Sequence, residues 1–119
     1  MNKVYFLGTC STCKRIMTDL NLEGFEKQDI KTEPITPAQI DKMKDLAGSY
    51  ESLFSRRAMK YKAMNLAEKN LSEEDYRKLI LDEYTFLKRP VFISDNDIFV
   101  GSSPKSIEAL KLRLGSRKV

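Results

Sequence analysis

The sequence predicts an α/β domain ordered β-α-β, a helical insert, then β-β-α. Three observations carry that order. The β-branched and aromatic run KVYFL, Lys3 to Leu7, gives way directly to helical spacing. The middle of the chain holds two N-terminal capping signals, at Thr36 and Ser72. The end returns to short β-rich runs, PVFIS and DIFVG, before one last helix. With 119 residues, no internal repeat and no linker between the halves, the chain reads as one domain over residues 1–119.

The first strand, Lys3 to Leu7, ends at Gly8-Thr9. From Ser11 the apolar positions Cys13, Ile16, Met17 and Leu20 follow the i, i+3, i+4, i+7 spacing of one helix face, and Gly24 is expected to close that helix. FEKQDI, residues 25–30, is the second strand, although its alternation is weak. The insert, about residues 36–85, carries three helical segments. In the first, Thr36 caps, Pro37 suits the first helical position, Gln39 completes a capping box, and Ile40, Met43 and Ala47 face inward. The second runs from about Glu51 to Met64 with Phe54, Ala58 and Tyr61 in register. The third opens at SEED, with Ser72 and Asp75 at capping-box spacing and Tyr76, Leu79 and Ile80 turned inward. Asp95-Asn96 joins PVFIS and DIFVG as a hairpin, and Ser103-Pro104 starts a last helix facing inward through Ile107, Leu110 and Leu114.

Composition narrows the chemistry. The formal net charge is +4, from 21 Lys and Arg against 17 Asp and Glu, and the signs are interspersed. Only the tail KLRLGSRKV is locally basic, so no direct nucleic-acid partner is expected. The apolar runs are too short to cross a bilayer, and no charged-then-apolar leader precedes them, which predicts a soluble cytoplasmic protein without a membrane role. The absence of histidine excludes Ser-His-Asp triads, Cys-His dyads and His-containing zinc sites. Cys10 and Cys13, the only cysteines, supply two of the four ligands a structural zinc needs, so no metal is expected.

Those two cysteines are the leading functional candidates. A CxxC that follows a strand and opens a helix places Cys10 at the positive end of the helix dipole, among unpaired N–H groups. That field, with Lys14 and Arg15 one turn on, favours the nucleophilic thiolate. Cys13 stands close enough to resolve a mixed disulfide. The competing readings are a structural disulfide, which a cytoplasmic setting disfavours, and two small buried residues. Elsewhere, Lys88 and Arg89 precede Pro90 at the mouth of a strand, where proline fits at an element's first residue or in a cis turn. In LFSRRAMKY, a helix would turn Arg57 inward with Phe54 and Tyr61 while Arg56 points with Lys60 toward water. An inward arginine calls for an anionic partner, either a carboxylate at the rim of the core or an anion in a cleft.

Taken together, GTCSTCKR after a strand, SRRAMKYKAMNL, FLKRPVFI and the closing FVGSSPKSIEAL resemble the ArsC/Spx family, the arsenate-reductase-like branch of the thioredoxin fold. The resemblance covers nearly the whole chain. It implies a thioredoxin-like (glutaredoxin-like) mixed sheet of about four strands, helices on both faces, and a helical insertion between the βαβ and ββα halves. It also implies that Pro90 is cis and faces the cysteine motif. The family's nucleophile falls on Cys10, with Cys13 as resolving thiol. Its anion-binding arginine from the insert falls on Arg57, with Ser55 and Arg56 as alternatives of register, and the arginine before the cis-proline on Arg89. Ser11 and Thr12, in the first helical turn, join these as anion or substrate ligands.

The chain departs from that pattern twice. No arginine precedes the last helix, where residues 98–104 read IFVGSSP, and Cys13 adds a second cysteine to a motif that generally has one in arsenate reductases of this branch. The resemblance therefore implies a thiol–disulfide oxidoreductase first, a Spx-like redox-sensing regulator that binds the RNA polymerase α-subunit second, and a true arsenate reductase third. No bound cofactor is implied. The expected cosubstrate is a thiol reductant, thioredoxin or glutaredoxin with glutathione, and the expected state is a monomer.

Overall fold

A computed structural model describes residues 2–115; the last four residues of the basic tail, 116–119, lie outside the described residues. The chain forms two compact units, one from residues up to Glu33 together with those from Arg89 on, the other from Pro34–Lys88.

The first unit holds strands β1 (Asn2–Phe6), β2 (Glu26–Asp29), β3 (Val91–Ser94) and β4 (Asp97–Val100), and helices α1 (Ser11–Asp19) and α5 (Pro104–Leu114). The strands make one four-stranded sheet in the order β2-β1-β3-β4. β1 runs parallel to β2 and antiparallel to β3, and β3 pairs antiparallel with β4 through the predicted hairpin. Strand alternation sorts the side chains. Val4 of β1 lies opposite Phe92 of β3, and both pack with Ile16 and Leu20 from the α1 segment and Leu110 of α5. The other face carries Lys3, Tyr5, Val91 and Ile93, all buried. Lys3 reaches out of that face to Glu26 at 3.8 Å. Burial, and then the Glu26 carboxylate, push the Tyr5 hydroxyl up to about 12.

α5 starts as its sequence demands. Ser103 accepts from the Ser106 N–H and Pro104 fills the first turn. α1 ends earlier than expected: Leu20 is already extended, and Gly24 sits in a later β-turn closed by Phe25 N–H to Leu22 O at 3.0 Å. Its φ of +81° is what that turn position requires, so this glycine serves the entry to β2 rather than the helix end.

The second unit contains α2 (Pro37–Ala47), α3 (Met59–Ala63) and α4 (Glu73–Asp82). Both predicted capping boxes form, Thr36 with Gln39 and Ser72 with Asp75. Gly48 ends α2 in the left-handed region at φ 100°, donating its N–H to Lys44 O. Tyr76 and Ile80 of α4 are buried, and Leu79 is half-buried.

The helix expected over 51–64 does not exist as one element. Glu51–Leu53 is a single 3-10 turn, Phe54 is extended, and only Met59–Ala63 is α-helical. The cause is tertiary. Phe54 pairs antiparallel with Leu87, fixed by Ser55 N–H to Phe86 O at 2.6 Å and Lys88 N–H to Leu53 O at 2.8 Å. Those bonds replace the helical ladder at this point. Phe54 still meets Tyr61, Tyr76 and Phe86, with ring centroids 6.0, 4.9 and 5.0 Å away, so the apolar spacing did report a shared core. Among the described residues no helix is long and apolar enough to cross a membrane.

Candidate redox site

β1 delivers the chain to the cysteines. The backbone turns at Gly8-Thr9, closed by Cys10 N–H to Leu7 O at 3.0 Å, and α1 begins when Lys14 N–H bonds Cys10 O at 3.2 Å. Cys10 is the N-cap residue, extended at φ −90° and ψ 113°. Its sulfur takes the place an oxygen would occupy in an ordinary cap. Neither amide it faces meets capping geometry, yet the N–H groups of Thr12 and Cys13 are near enough to favour the anion. Both thiols are free; Cys10 is half-buried and Cys13 fully buried.

The two sulfurs are driven apart in acidity. Burial raises the Cys10 thiol, but hydrogen bonds from the Cys13 N–H, the Cys13 thiol and the Thr12 N–H, with the charge of Arg89, outweigh it and leave Cys10 below the usual cysteine range. Burial pushes Cys13 up to about 11. The hydrogen bond and charge of Cys10 add to the rise, against a Leu7 backbone hydrogen bond and Arg89, which lower it. The cation acting on both is thus Arg89. Lys14 and Arg15, expected from the sequence to assist, are exposed on α1 and do not rank with it.

Arg89 stands just before β3. Tyr5 of β1 lies opposite Val91, the first residue of β3, and Arg89 comes two residues before Val91 in the turn that enters the strand. The Arg89-Pro90 bond is cis, as expected, and Pro90 O accepts the Gly101 N–H at 2.9 Å. On the opposite side of β1, Phe6 lies beside Asp29 of β2. A Cβ built on Gly8 would stand 2.5 Å from Asp29 Oδ2, so glycine lets that carboxylate lie against the chain two residues before Cys10. The sequence singled out neither Asp29 nor this role of Gly8, because the approach arises only from strand pairing.

Cys10, Cys13, Ser11, Thr12, Arg89 and Pro90 all belong to the first unit, with Ser11 exposed and Thr12 half-buried. Arg57 belongs to the second. Without the helix over 51–64, the inward turn expected of Arg57 fails, while Arg56 is exposed as expected. Arg57 is exposed, and only its backbone N–H bonds, to Ser55 Oγ at 3.3 Å. It is Arg56 that is engaged, with Glu51 at 2.8 Å and the Tyr76 hydroxyl at 3.2 Å. Glu51 in turn is held by Glu73, whose carboxylate accepts the N–H groups of Tyr50 and Glu51 at 2.8 and 3.1 Å. Among the described residues no group of His, Cys, Asp and Glu is arranged to hold a metal ion.

Several known proteins are similar to this chain. The Escherichia coli protein YfgD is 26% identical over 110 residues, spanning 88% of this chain and 92% of its own. The global transcriptional regulator Spx 1 of Bacillus cereus is 23% identical over 133 residues, spanning 100% of this chain and 99% of its own. The structure of an arsenate reductase from Vibrio cholerae superposes with a TM-score of 0.72 at 17% identity, covering 92% of this chain and 96% of that one, a likeness of fold. The model of the ArsC family matches residues 5–110, a span that takes in the cysteine motif, the cis-proline turn and everything between them, and this chain accordingly belongs to the ArsC family.

Proposed function

We propose that this protein is a cytoplasmic thiol–disulfide oxidoreductase in which Cys10 attacks and Cys13 resolves. The observation that carries the reading is the placement of two free thiols one turn apart, Cys10 half-exposed at the N-cap of α1 and Cys13 buried behind it; the displacement of Cys10 below the cysteine range and of Cys13 up to about 11 agrees with it. The Cys10 thiolate attacks one sulfur of a substrate disulfide. The substrate S–S bond breaks, one half leaves as a thiolate that takes a proton from water, and the other half stays on Cys10. Cys13 then loses its proton, and its thiolate displaces the second half. The protein ends as a Cys10–Cys13 disulfide and the substrate as two thiols. Thioredoxin, or glutaredoxin with glutathione, returns the pair to dithiol, and no bound cofactor takes part.

Arg89, with the N–H donors around Ser11 and Thr12, receives an anionic group on the substrate, and the family resemblance assigns Arg57 the same task. The test is turnover of a disulfide substrate with either reductant. Cys10→Ser abolishes it, and Cys13→Ser stops after one attack with the mixed disulfide on Cys10, visible as added mass. Normal turnover by Cys10→Ser overturns the reading.

A second reading is favoured by the Spx 1 likeness over the full chain. In it the same couple is a switch, and the partner is the RNA polymerase α-subunit. Binding of that subunit by one redox state of the protein supports it, and no binding in either state ends it. Arsenate is a third candidate substrate, settled by whether it drives oxidation of the thiol couple above background.

A further inference from the structure

The sheet order puts β2 on one side of β1 and β3 on the other, so the segment that leads β1 into Cys10 has two flanks. On the β3 flank stands Arg89, whose charge reaches the Cys10 sulfur. On the β2 flank stands Asp29, partly exposed, paired in register with Phe6 and lying against Gly8. Its Oδ1 accepts the Lys31 N–H at 3.0 Å, which fixes the carboxylate, while Oδ2 bonds nothing among the described residues. The segment that leads β1 into the nucleophile therefore has a carboxylate on one flank and a guanidinium on the other.

We infer that Asp29 is a specificity residue for the ammonium group of a zwitterionic thiol substrate, with Arg89 taking the carboxylate of the same molecule. The substrate class is a disulfide of an amino-acid-like thiol, carrying an ammonium and a carboxylate a few bonds from the sulfur under attack. This deepens the proposed oxidoreductase reading and rests on it. A purely anionic disulfide meets Arg89 favourably and Asp29 unfavourably; a zwitterion satisfies both. Opposed fixed charges thus reject a competitor as well as attract the substrate. The chemical step is the same exchange, Cys10 thiolate displacing one thiolate of the probe with no other reactant.

The experiment measures mixed-disulfide formation on Cys10 of the full chain with four probes: cystine, 3,3′-dithiodipropionate (anionic), cystamine (cationic) and 2-hydroxyethyl disulfide (neutral). Dividing each rate by that of the neutral probe removes changes in thiolate fraction and in folding. Comparing Asp29→Asn with the parent for the same probe cancels leaving-group chemistry. Asn keeps the Oδ1 acceptor for Lys31, so the local turn is preserved. The expected result is that Asp29→Asn lowers the cystine to dithiodipropionate ratio by about fivefold, on the scale of one partly exposed ionic contact, and also slows cystamine. An unchanged ratio overturns the assignment while leaving the oxidoreductase reading standing. If the neutral probe fails to modify Cys10 of the parent protein, the oxidoreductase reading falls and this inference falls with it.

Discussion

Cys13 lies buried one turn along the helix that Cys10 caps, and the two chemically identical thiols are driven apart in acidity: burial holds the proton on Cys13, and that thiol, as a donor, favours the Cys10 anion. The proton that stabilises the Cys10 anion is the one Cys13 must later give up. Burial keeps it on Cys13 until Cys10 has been consumed in a mixed disulfide. At that point the Cys10 anion no longer opposes ionisation of Cys13, and the second attack becomes easier.

Removing that donor should show in the titration of Cys10. Cys13→Ala is expected to raise the Cys10 pKa, read as thiolate absorbance against pH or as the pH dependence of alkylation. Loss of the hydrogen bond favours the protonated form. A titration curve that does not move would show that the Thr12 and Cys13 amides with Arg89 suffice.

Arg89 acts on Cys10 through its charge. Arg89→Met should slow alkylation of Cys10 at neutral pH by a few-fold, and the difference should vanish at a pH where both proteins are fully thiolate. Arg89→Lys, which keeps the charge, should retain most of the parent rate. Equal slowing by both variants at all pH values would point to altered geometry instead.

In the second unit, Asp41 accepts from Arg77 Nε at 2.8 Å and from the Tyr50 hydroxyl at 2.6 Å. These bonds, the Arg77 one foremost, hold its carboxyl below the usual range. Because the folded value lies below the unfolded value of about 4, the contribution to stability is complete above that pH and is lost as pH falls through the folded value. Asp41→Asn should therefore lower Tm at pH 7, and the difference between the two proteins should shrink as pH falls through the folded value of Asp41. A Tm difference independent of pH would mean the charge is irrelevant.

Gly8 is predicted to accept alanine only at the expense of the Asp29 rotamer. The added Cβ would meet Asp29 Oδ2 at 2.5 Å, the end of a partly exposed side chain that can turn aside, so Gly8→Ala should cost no more than about 1 kcal/mol in urea unfolding. Gly8→Ala combined with Asp29→Ala should recover most of that loss. No recovery would place the strain in the backbone rather than at the carboxylate.

The parts of this structure legible in the sequence are those whose causes are local. The capping boxes at Thr36 and Ser72, the Asp95-Asn96 hairpin and the Ser103-Pro104 helix start all formed where residue type and spacing placed them. The stretch 51–64 was misread because Phe54 finds its backbone partner at Leu87, far along the chain, and apolar spacing carries no trace of that pairing. The inward facing of Arg57 depended on that helix and failed with it, whereas Arg56 is exposed as its position required. At the cysteines, position after a strand and before a helix announced the chemistry. Which cation tunes it depended on the β1–β3 register, and the carboxylate at Gly8 on the β1–β2 register.

The same register has a consequence during synthesis. β1 pairs with β3, Asn2 lying opposite Ser94, so the centre of the sheet cannot close until Ser94 has left the ribosome. Arg89 emerges only just ahead of β3. Until then Cys10 is an ordinary cysteine, without its cation and without a folded frame for its helix-end amides, and its reactivity is switched on by closure of the sheet.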